Sequence, residues 1–423
     1  MTARSIALQV LDKCTVLEQY SNIALDTAIR RSNLNDADRG LLTTLVYGVL
    51  ERGITLDYQI AALCTRSDAG LDTTTRNLLR MGLYQLAYLD RVPDHAAVNE
   101  SVELAPRRTK GLVNAVLRSF LRAGKQLQAP NAATDPVGYL SVTYSFLPAI
   151  CRAFTEVYGF ARTESLLAAF CHQPPLTLRV NTLVQSREQL LDRLQAAGYA
   201  ARGSESCPTA ITLKGAAVTA LPGFEEGSFF VQDEASQQCV RALDARPGMR
   251  LLDTCACPGS KSFGAAIDMQ NAGEVIACDL HANKLSLVLG GAERLGISIL
   301  KTEARDARHF NEAWAASFDR VLCDVPCSGF GVFAKKPELR YKDPAKSEAL
   351  PAIQRTILNT AAGYVRHGGR LVYSTCTLLP SENGENVRAF LETHHDFALH
   401  HERTLYPDTD GTDGFYVAVL ERA

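Results

Sequence analysis

From about residue 236 onward, short apolar runs alternate with helical stretches. The runs are "MRLLDTC", "EVIACD", "SILKTEA", "FDRVLCD" and "GRLVYST". They are too short for helices and too evenly apolar for a half-exposed sheet. Such runs, separated by helical patterns, predict a doubly wound, mostly parallel α/β sheet with helices on both faces over 236–423. Residues 1–128 have the other period. "RSIALQVLDKCTVL" puts Ile6, Val10, Cys14 and Leu17 on one helical face, and "RNLLRMGLYQLAYL" does the same with Leu79, Leu83 and Leu86. This region is predicted to be all-helical. "LQAPNAATDP", rich in Pro, Ala, Asn and Asp, reads as a linker. Residues 137–235 then read as a small α/β module. "PPLTLRVNTL" is its strand, and Ser186 is the N-cap of a helix over "SREQLLDRLQAAGYAAR". "GSFFVQDEASQQC" leads on to the large sheet.

A length of 423 residues accommodates these three regions. A net charge of −2 does not mark a nucleic-acid binder, so any such surface must be local. Segment 107–125 carries six basic residues and no acidic one: Arg107, Arg108, Lys110, Arg118, Arg122 and Lys125. Its Leu112, Val116 and Phe120 recur at helical spacing. An amphipathic helix with a basic outer face follows, either a solvated face or a phosphate-contacting surface. Twelve cysteines suggest disulfides at first. The start "MTARSIALQVLDKC" has no signal-peptide pattern, and no apolar run reaches about 18 residues. A cytoplasmic chain with reduced thiols and no membrane span is expected. Cys255 and Cys257 form a C-x-C pair with no second pair, so no metal site is expected.

The first strand of the large sheet ends in "LLDTCACPGSKS". Pro258 and Gly259 make a tight turn, and Ser260 or Ser262 is placed to cap the next helix. In doubly wound sheets this corner binds nucleotide-like ligands. Twenty residues after Gly259, Asp279 closes the second strand, where an acid reaches ribose hydroxyls. The corner lacks both the G-x-G-x-x-G fingerprint and the Walker A spacing. A ligand with ribose and adenine but no phosphates fits better, and S-adenosyl-L-methionine is one. Asp306, after the third strand, either meets the adenine amino group or caps the next helix.

The fourth and fifth strands run into "DVPCSG" and "YSTCT". In a doubly wound sheet these strands are neighbours, so Cys327 and Cys376 are predicted to reach one pocket, with Asp324 at the tip of the fourth strand. This set suits one reaction. C5 of a pyrimidine is a poor nucleophile until a thiolate adds to C6. That addition needs N3 protonated or hydrogen-bonded, a task for Asp324. The adduct must then eliminate its thiol, where a second cysteine helps.

The catalytic half resembles the RNA cytosine-5 methyltransferases that carry one cysteine in a Pro-Cys and another in a Thr-Cys motif, here Pro326-Cys327 and Thr375-Cys376. DNA cytosine-5 methyltransferases lack the Thr-Cys partner. The resemblance implies that Cys376 attacks C6 and Cys327 assists release. It implies that Cys255, Ala256, Cys257, Pro258, Gly259, Ser260 and Lys261 line the methionine part of the cofactor. Asp279 would then hold the ribose, Asp306 would lie by the adenine, and Asp324 between cofactor and base. "KKPELRY", with Lys336 as an RNA contact, "PSENGENV" and "DGFYVAVL" match further family segments. The N-terminal half resembles the NusB-type RNA-binding domain, on "DRGLLTTLVYGVLERGITLD" and "KGLVNAVLR". Together these are the arrangement of the Sun/Fmu (RsmB-type) methyltransferases, which implies a monomer acting on a cytosine of 16S rRNA or a small-subunit assembly intermediate. Cys257, Ser260 and Val325 depart from the family pattern. Cys257 and Ser260, in the cofactor loop, motivate an alternative, a non-catalytic RNA-binding assembly factor.

Overall fold

The computed structural model describes residues 2–17, 21–64 and 70–423. It divides into two compact units, Met1–Cys171 with Lys336–Pro344, and His172–Lys335 with Ala345–Ala423.

The first unit is helical: α1 (Ala3–Leu17), α2 (Ser21–Arg30), α3 (Asp36–Glu51), α4 (Gly53–Leu63), α5 (Thr73–Tyr88), α6 (Asp94–Leu104), α7 (Lys110–Arg122), α8 (Pro136–Tyr144), α9 (Pro148–Tyr158) and α10 (Phe160–Ala169). Ile6 and Val10 are buried and Cys14 packs against the same core, while the side chain of Leu17 lies outside the described residues. Leu79, Leu83 and Leu86 are buried with them. Asp72 starts α5 by accepting from Thr75 N at 2.9 Å, which satisfies one of the free amides of the first turn. The inner face of α7 is Val113, Val116, Leu117 and Phe120. Leu112 was expected on it and is exposed instead. Steps of four residues drift by about 40° each around a helix, so 113 and 117 complete the stripe that 112 leaves.

Helices α8–α10 group with this unit rather than with the α/β module in which residues 137–169 were placed. So does the segment Lys336–Pro344, which is distant in sequence. Arg340 is buried there, and its guanidinium donates to Glu51 O and Tyr144 O at 3.2 Å and to Phe170 O at 2.6 Å. The Tyr341 hydroxyl donates to Leu50 O and accepts from Gly53 N.

The second unit opens with a four-stranded antiparallel sheet of β1 (Leu176–Val180), β2 (Arg202–Gly203), β3 (Ala210–Leu213) and β4 (Phe229–Val231), in the order β2-β3-β1-β4. Its helix α11 (Arg187–Ala196) starts on Ser186 in a capping box with Gln189, as the sequence predicts. After α12 (Glu234–Ala242) comes a seven-stranded sheet. The five predicted strands are β5 (Arg250–Asp253), β6 (Glu274–Asp279), β7 (Leu300–Ala304), β8 (Phe318–Asp324) and β9 (Val365–Thr375). They pair in parallel, and β10 (Phe397–Leu405) and β11 (Phe415–Arg422) add antiparallel, giving the order β10-β11-β9-β8-β5-β6-β7.

Strand alternation fills both faces of this sheet. Leu251, Val275, Leu322, Val372 and Val417 pack under α12, α13 (Ser260–Asp268) and α14 (Leu285–Arg294). Their neighbours Leu252, Ile276, Val321, Leu371 and Ala418 pack under α15 (Leu350–Ala362) and α16 (Gly384–Leu391). Burial on both sides is why the strands read as continuous apolar runs. Strand β10 escaped the sequence reading because its middle is exposed and polar. Buried Arg179 of β1 joins the small sheet to the large one, donating to Gly264 O at 3.1 Å and to Asp268 at 2.7 Å on α13.

Candidate active site

The order of strands reverses beside β5, and its end begins the site. From Thr254 to Gly259 the chain turns across the end of β6, with Ala256 N donating to Cys278 O at 2.7 Å. Gly259 has φ of 108°, which suits glycine, and α13 follows it. Neither Ser260 nor Ser262 caps α13, against expectation: the N-cap is Gly259 and no side chain bonds there. Ser262 is drawn inward instead, donating to Asp253 at 2.6 Å, while Cys255 N donates to the other carboxyl oxygen at 3.3 Å. Asp253 thus braces both ends of the loop. Burial pushes its pKa up to about 7.

Two more acids stand along the same edge. The Asp279 carboxylate accepts from His281 N at 2.9 Å and from Cys257 N at 3.3 Å. Burial and then the Asp279 charge push the Cys257 thiol up to about 12, so it stays protonated beside that acid. Asp306 accepts from the Arg308 guanidinium at 2.6 Å and from Arg308 N at 3.0 Å, bonds that hold its pKa down to about 2.

Asp324, at the tip of β8, is paired with Lys261 at 2.6 Å and accepts from Ser374 Oγ at 2.8 Å. The resemblance put Lys261 against the cofactor. Its ammonium points at Asp324 and lies 5.3 Å from the centre of the Phe415 ring. Burial, the largest single influence, works against this ammonium, but the Asp324 charge and hydrogen bond together with the nearby Cys239 and Cys376 outweigh it and raise the Lys261 pKa. Ser374 was not singled out from the sequence. Its signal was its register, directly opposite Asp324 on the neighbouring strand.

That register also explains the cysteines. Strands β8 and β9 run parallel with Asp324 beside Ser374, so the loops that follow emerge together. The Sγ atoms of Cys327 and Cys376 are 3.3 Å apart. The hydrogen bond to Cys376, burial and the Cys376 and Glu382 charges push the Cys327 thiol well up. Cys327 is therefore favoured as the protonated thiol beside the Cys376 sulfur. Gly331 N donates to Cys376 O at 2.9 Å, and Gly414 N to Gly331 O at 2.8 Å, so the two cysteine loops and the turn before β11 are laced together.

The basic face of α7 is thinner than the sequence suggested. Arg108 pairs with Asp72 at 3.1 Å and Lys110 with Glu103 at 3.4 Å, acids that a local count cannot see. Arg107, Arg118 and Arg122 are exposed and meet no carboxylate among the described residues. Lys336 is exposed on the segment that packs with the helices. All twelve cysteines are free thiols. Among the described residues, no cluster of three metal-ligating side chains occurs and no helix is long and apolar enough to cross a membrane.

Known proteins share this arrangement. Residues 240–421 match the model of the 16S rRNA methyltransferase RsmB/F family, residues 1–122 the NusB family, and residues 150–219 the ferredoxin-like domain of RsmF/B-like methyltransferases. The chain is 38% identical over its full length to a probable ribosomal RNA small subunit methyltransferase B of Bacillus subtilis (strain 168), covering 99% of that protein. The chain belongs to the RsmB/F family of rRNA methyltransferases. The ribosomal RNA small subunit methyltransferase B of Klebsiella pneumoniae is 35% identical over 99% of this chain and 97% of its own. The crystal structure of PH0851 superposes over 100% of this chain and 99% of its own, with a TM-score of 0.82 and 26% identity. As an RsmB/F methyltransferase the chain uses S-adenosylmethionine. Its residues fit that cofactor. Asp279, Asp306 and Asp324 stand at or just past the ends of β6, β7 and β8. Carboxylate oxygens at a strand-end crevice suit hydroxyl and amino groups.

Proposed function

We propose that this RsmB/F chain methylates C5 of a cytosine in small-subunit rRNA through a covalent bond between Cys376 and C6. The observation that carries the reading is the pair of sulfurs 3.3 Å apart beside the Lys261–Asp324 ion pair. A cofactor-dependent methyltransferase acting at oxygen or nitrogen needs no such pair.

The cofactor supplies an electrophilic methyl group on a sulfonium. Asp279 and Asp306 would hold its ribose and adenine ends, and the loop from Cys255 to Ser260 its amino-acid end. Cys376, as its thiolate, attacks C6. The S–C6 bond forms and the C5=C6 pair moves toward N3, where the Asp324–Lys261 pair meets it with a hydrogen-bonded proton. C5, now enamine-like, would take the methyl group as its bond to the sulfonium breaks and that pair stays on sulfur, leaving a neutral thioether. Water then takes the C5 proton, the C–H pair re-forms the C5=C6 bond, and the C6–S pair returns to Cys376. Cys327, holding its proton beside that sulfur, donates to the departing thiolate. C6 must be reached from above the ring, so the base leaves its stack. Arg107, Arg118 and Arg122 would grip phosphates. An rRNA substrate places the enzyme in the cytoplasm.

The test uses Cys327→Ala with cofactor and unmodified 16S rRNA, read on a denaturing gel. A shifted protein–RNA band is expected, and it should vanish in Cys327→Ala/Cys376→Ala. Turnover by Cys376→Ala is expected to fall below about 10⁻³ of the parent rate. Normal methylation by that variant would remove Cys376 as the nucleophile.

A further inference from the structure

We infer that Glu382 and Gln354 are positioning residues for Cys327, holding its thiol against the sulfur it helps to release, while the adjacent Asn383 does the same for Cys376. The inference rests on the cysteine roles proposed above.

Cys327 lies on an irregular segment between β8 and α15. No strand ladder fixes the backbone there, yet the geometry at sulfur must be held to a fraction of an ångström. The fixing comes from side chains. Glu382 Oε2 accepts from Ser328 N at 2.9 Å and from Gln354 Nε2 at 2.8 Å. Gln354 Nε2 also donates to Pro326 O at 3.0 Å. The backbone groups on both sides of Cys327 are thus gripped by one pair of side chains. The pair is itself held, since Asn386 Nδ2 donates to Gln354 Oε1 at 2.9 Å and the Tyr373 hydroxyl donates to Glu382 O at 2.6 Å.

The next residue repeats the device on the other cysteine. Asn383 Oδ1 accepts from Thr375 Oγ1, and Asn383 Nδ2 donates to Thr377 O at 2.9 Å. These are the two neighbours of Cys376. Two consecutive side chains therefore hold the flanks of the two sulfurs, and their common backbone fixes one loop relative to the other. Ser328 Oγ donates to Thr377 Oγ1 at 2.8 Å and closes the frame.

The cost of the frame argues for its use. Glu382 is 1% exposed, and its Oε1 has no hydrogen-bond partner among the described residues. A buried carboxyl with an unsatisfied oxygen destabilises the fold, and an apolar residue would pack there without that cost. What an apolar residue cannot supply is one acceptor shared by Ser328 N and Gln354.

The experiment measures single-turnover methyl transfer, adduct level and steady-state release with full-length protein and unmodified 16S rRNA. Glu382→Ala and Gln354→Met should transfer the first methyl group at near the parent rate, then accumulate covalent adduct as release slows, on the order of 10²-fold for a displacement near 1 Å. Glu382→Gln should restore release, because its Oε1 can accept both bonds. Asn383→Ala should have the opposite signature, slow adduct formation without accumulation. Cys327→Ala is the control. If it traps no adduct, the cysteine roles fail and this inference fails with them. If it traps adduct while folded Glu382→Ala and Gln354→Met lose formation and release in parallel, the positioning role alone is overturned. Unfolding of both variants by circular dichroism would likewise overturn it, since the pair would then serve the fold.

Discussion

Asp253 gives the sharpest test of the electrostatics under the cofactor loop. It is 1% exposed, and its carboxyl braces Cys255 N and Ser262 Oγ. Burial raises its pKa from 3.8 to about 7. A carboxyl whose folded value lies above its unfolded one is favoured protonated by folding. Its full contribution is present below the unfolded value and is lost as pH rises through the folded one. The loss runs at about 1.4 kcal/mol per pH unit between pH 4 and 7, about 4 kcal/mol in all, and is flat above. Asp253→Asn cannot ionise. It keeps one of the two accepted hydrogen bonds and turns an amide nitrogen toward the other donor, a loss of about 1 kcal/mol. The variant should therefore exceed the parent in stability by under about 1 kcal/mol at pH 5 and by about 3 kcal/mol at pH 8. Urea unfolding followed by tryptophan fluorescence reads this directly. Trp314 is the chain's single tryptophan and stacks edge-on against Phe318 and Tyr364 in the same unit. A difference between the two proteins that is the same at pH 5 and pH 8 would show that Asp253 does not ionise across this range, and the electrostatic reasoning would fail.

Other expectations are simpler. A Cβ on Gly331 would lie 1.9 Å from Gly414 O and 2.9 Å from Cys376 O. Both are backbone atoms, so the loops must shift. Gly331→Ala should cut adduct formation by about 10²-fold while calorimetry finds cofactor affinity unchanged; a normal adduct rate would show that the lacing of the loops is slack. Arg118→Ala/Arg122→Ala should weaken RNA binding at all sequences and reduce the slope of log affinity against log salt by about 1.5. An unchanged slope would remove that face from the RNA interface.

The local periods of the sequence determined the kinds of element. Short continuous apolar runs marked β5–β9, and helical spacing marked α1, α5 and α7, because these signals depend only on near neighbours. The positions of the candidate groups at the strand ends were also legible. Asp279 and Asp324 close their strands, Asp306, Cys327 and Cys376 follow theirs, and parallel topology brings the ends of neighbouring strands to one edge. The tertiary structure alone decided what those groups touch. Lys261 sits in the candidate cofactor loop by sequence, but its long side chain reaches Asp324 at the end of β8, 63 positions away. Arg108 and Lys110 looked unpaired until Asp72 and Glu103 were packed beside them. Residues 336–344 follow the Pro-Cys loop in the chain yet belong to the helical unit. Glu382 read as one acid in a motif, and only burial showed its oxygen holding the flank of Cys327. Element type is set within a turn or two of chain. Ion pairs and hydrogen bonds between distant residues are set by which surfaces the packed core brings within about 3 Å, and no local pattern encodes that.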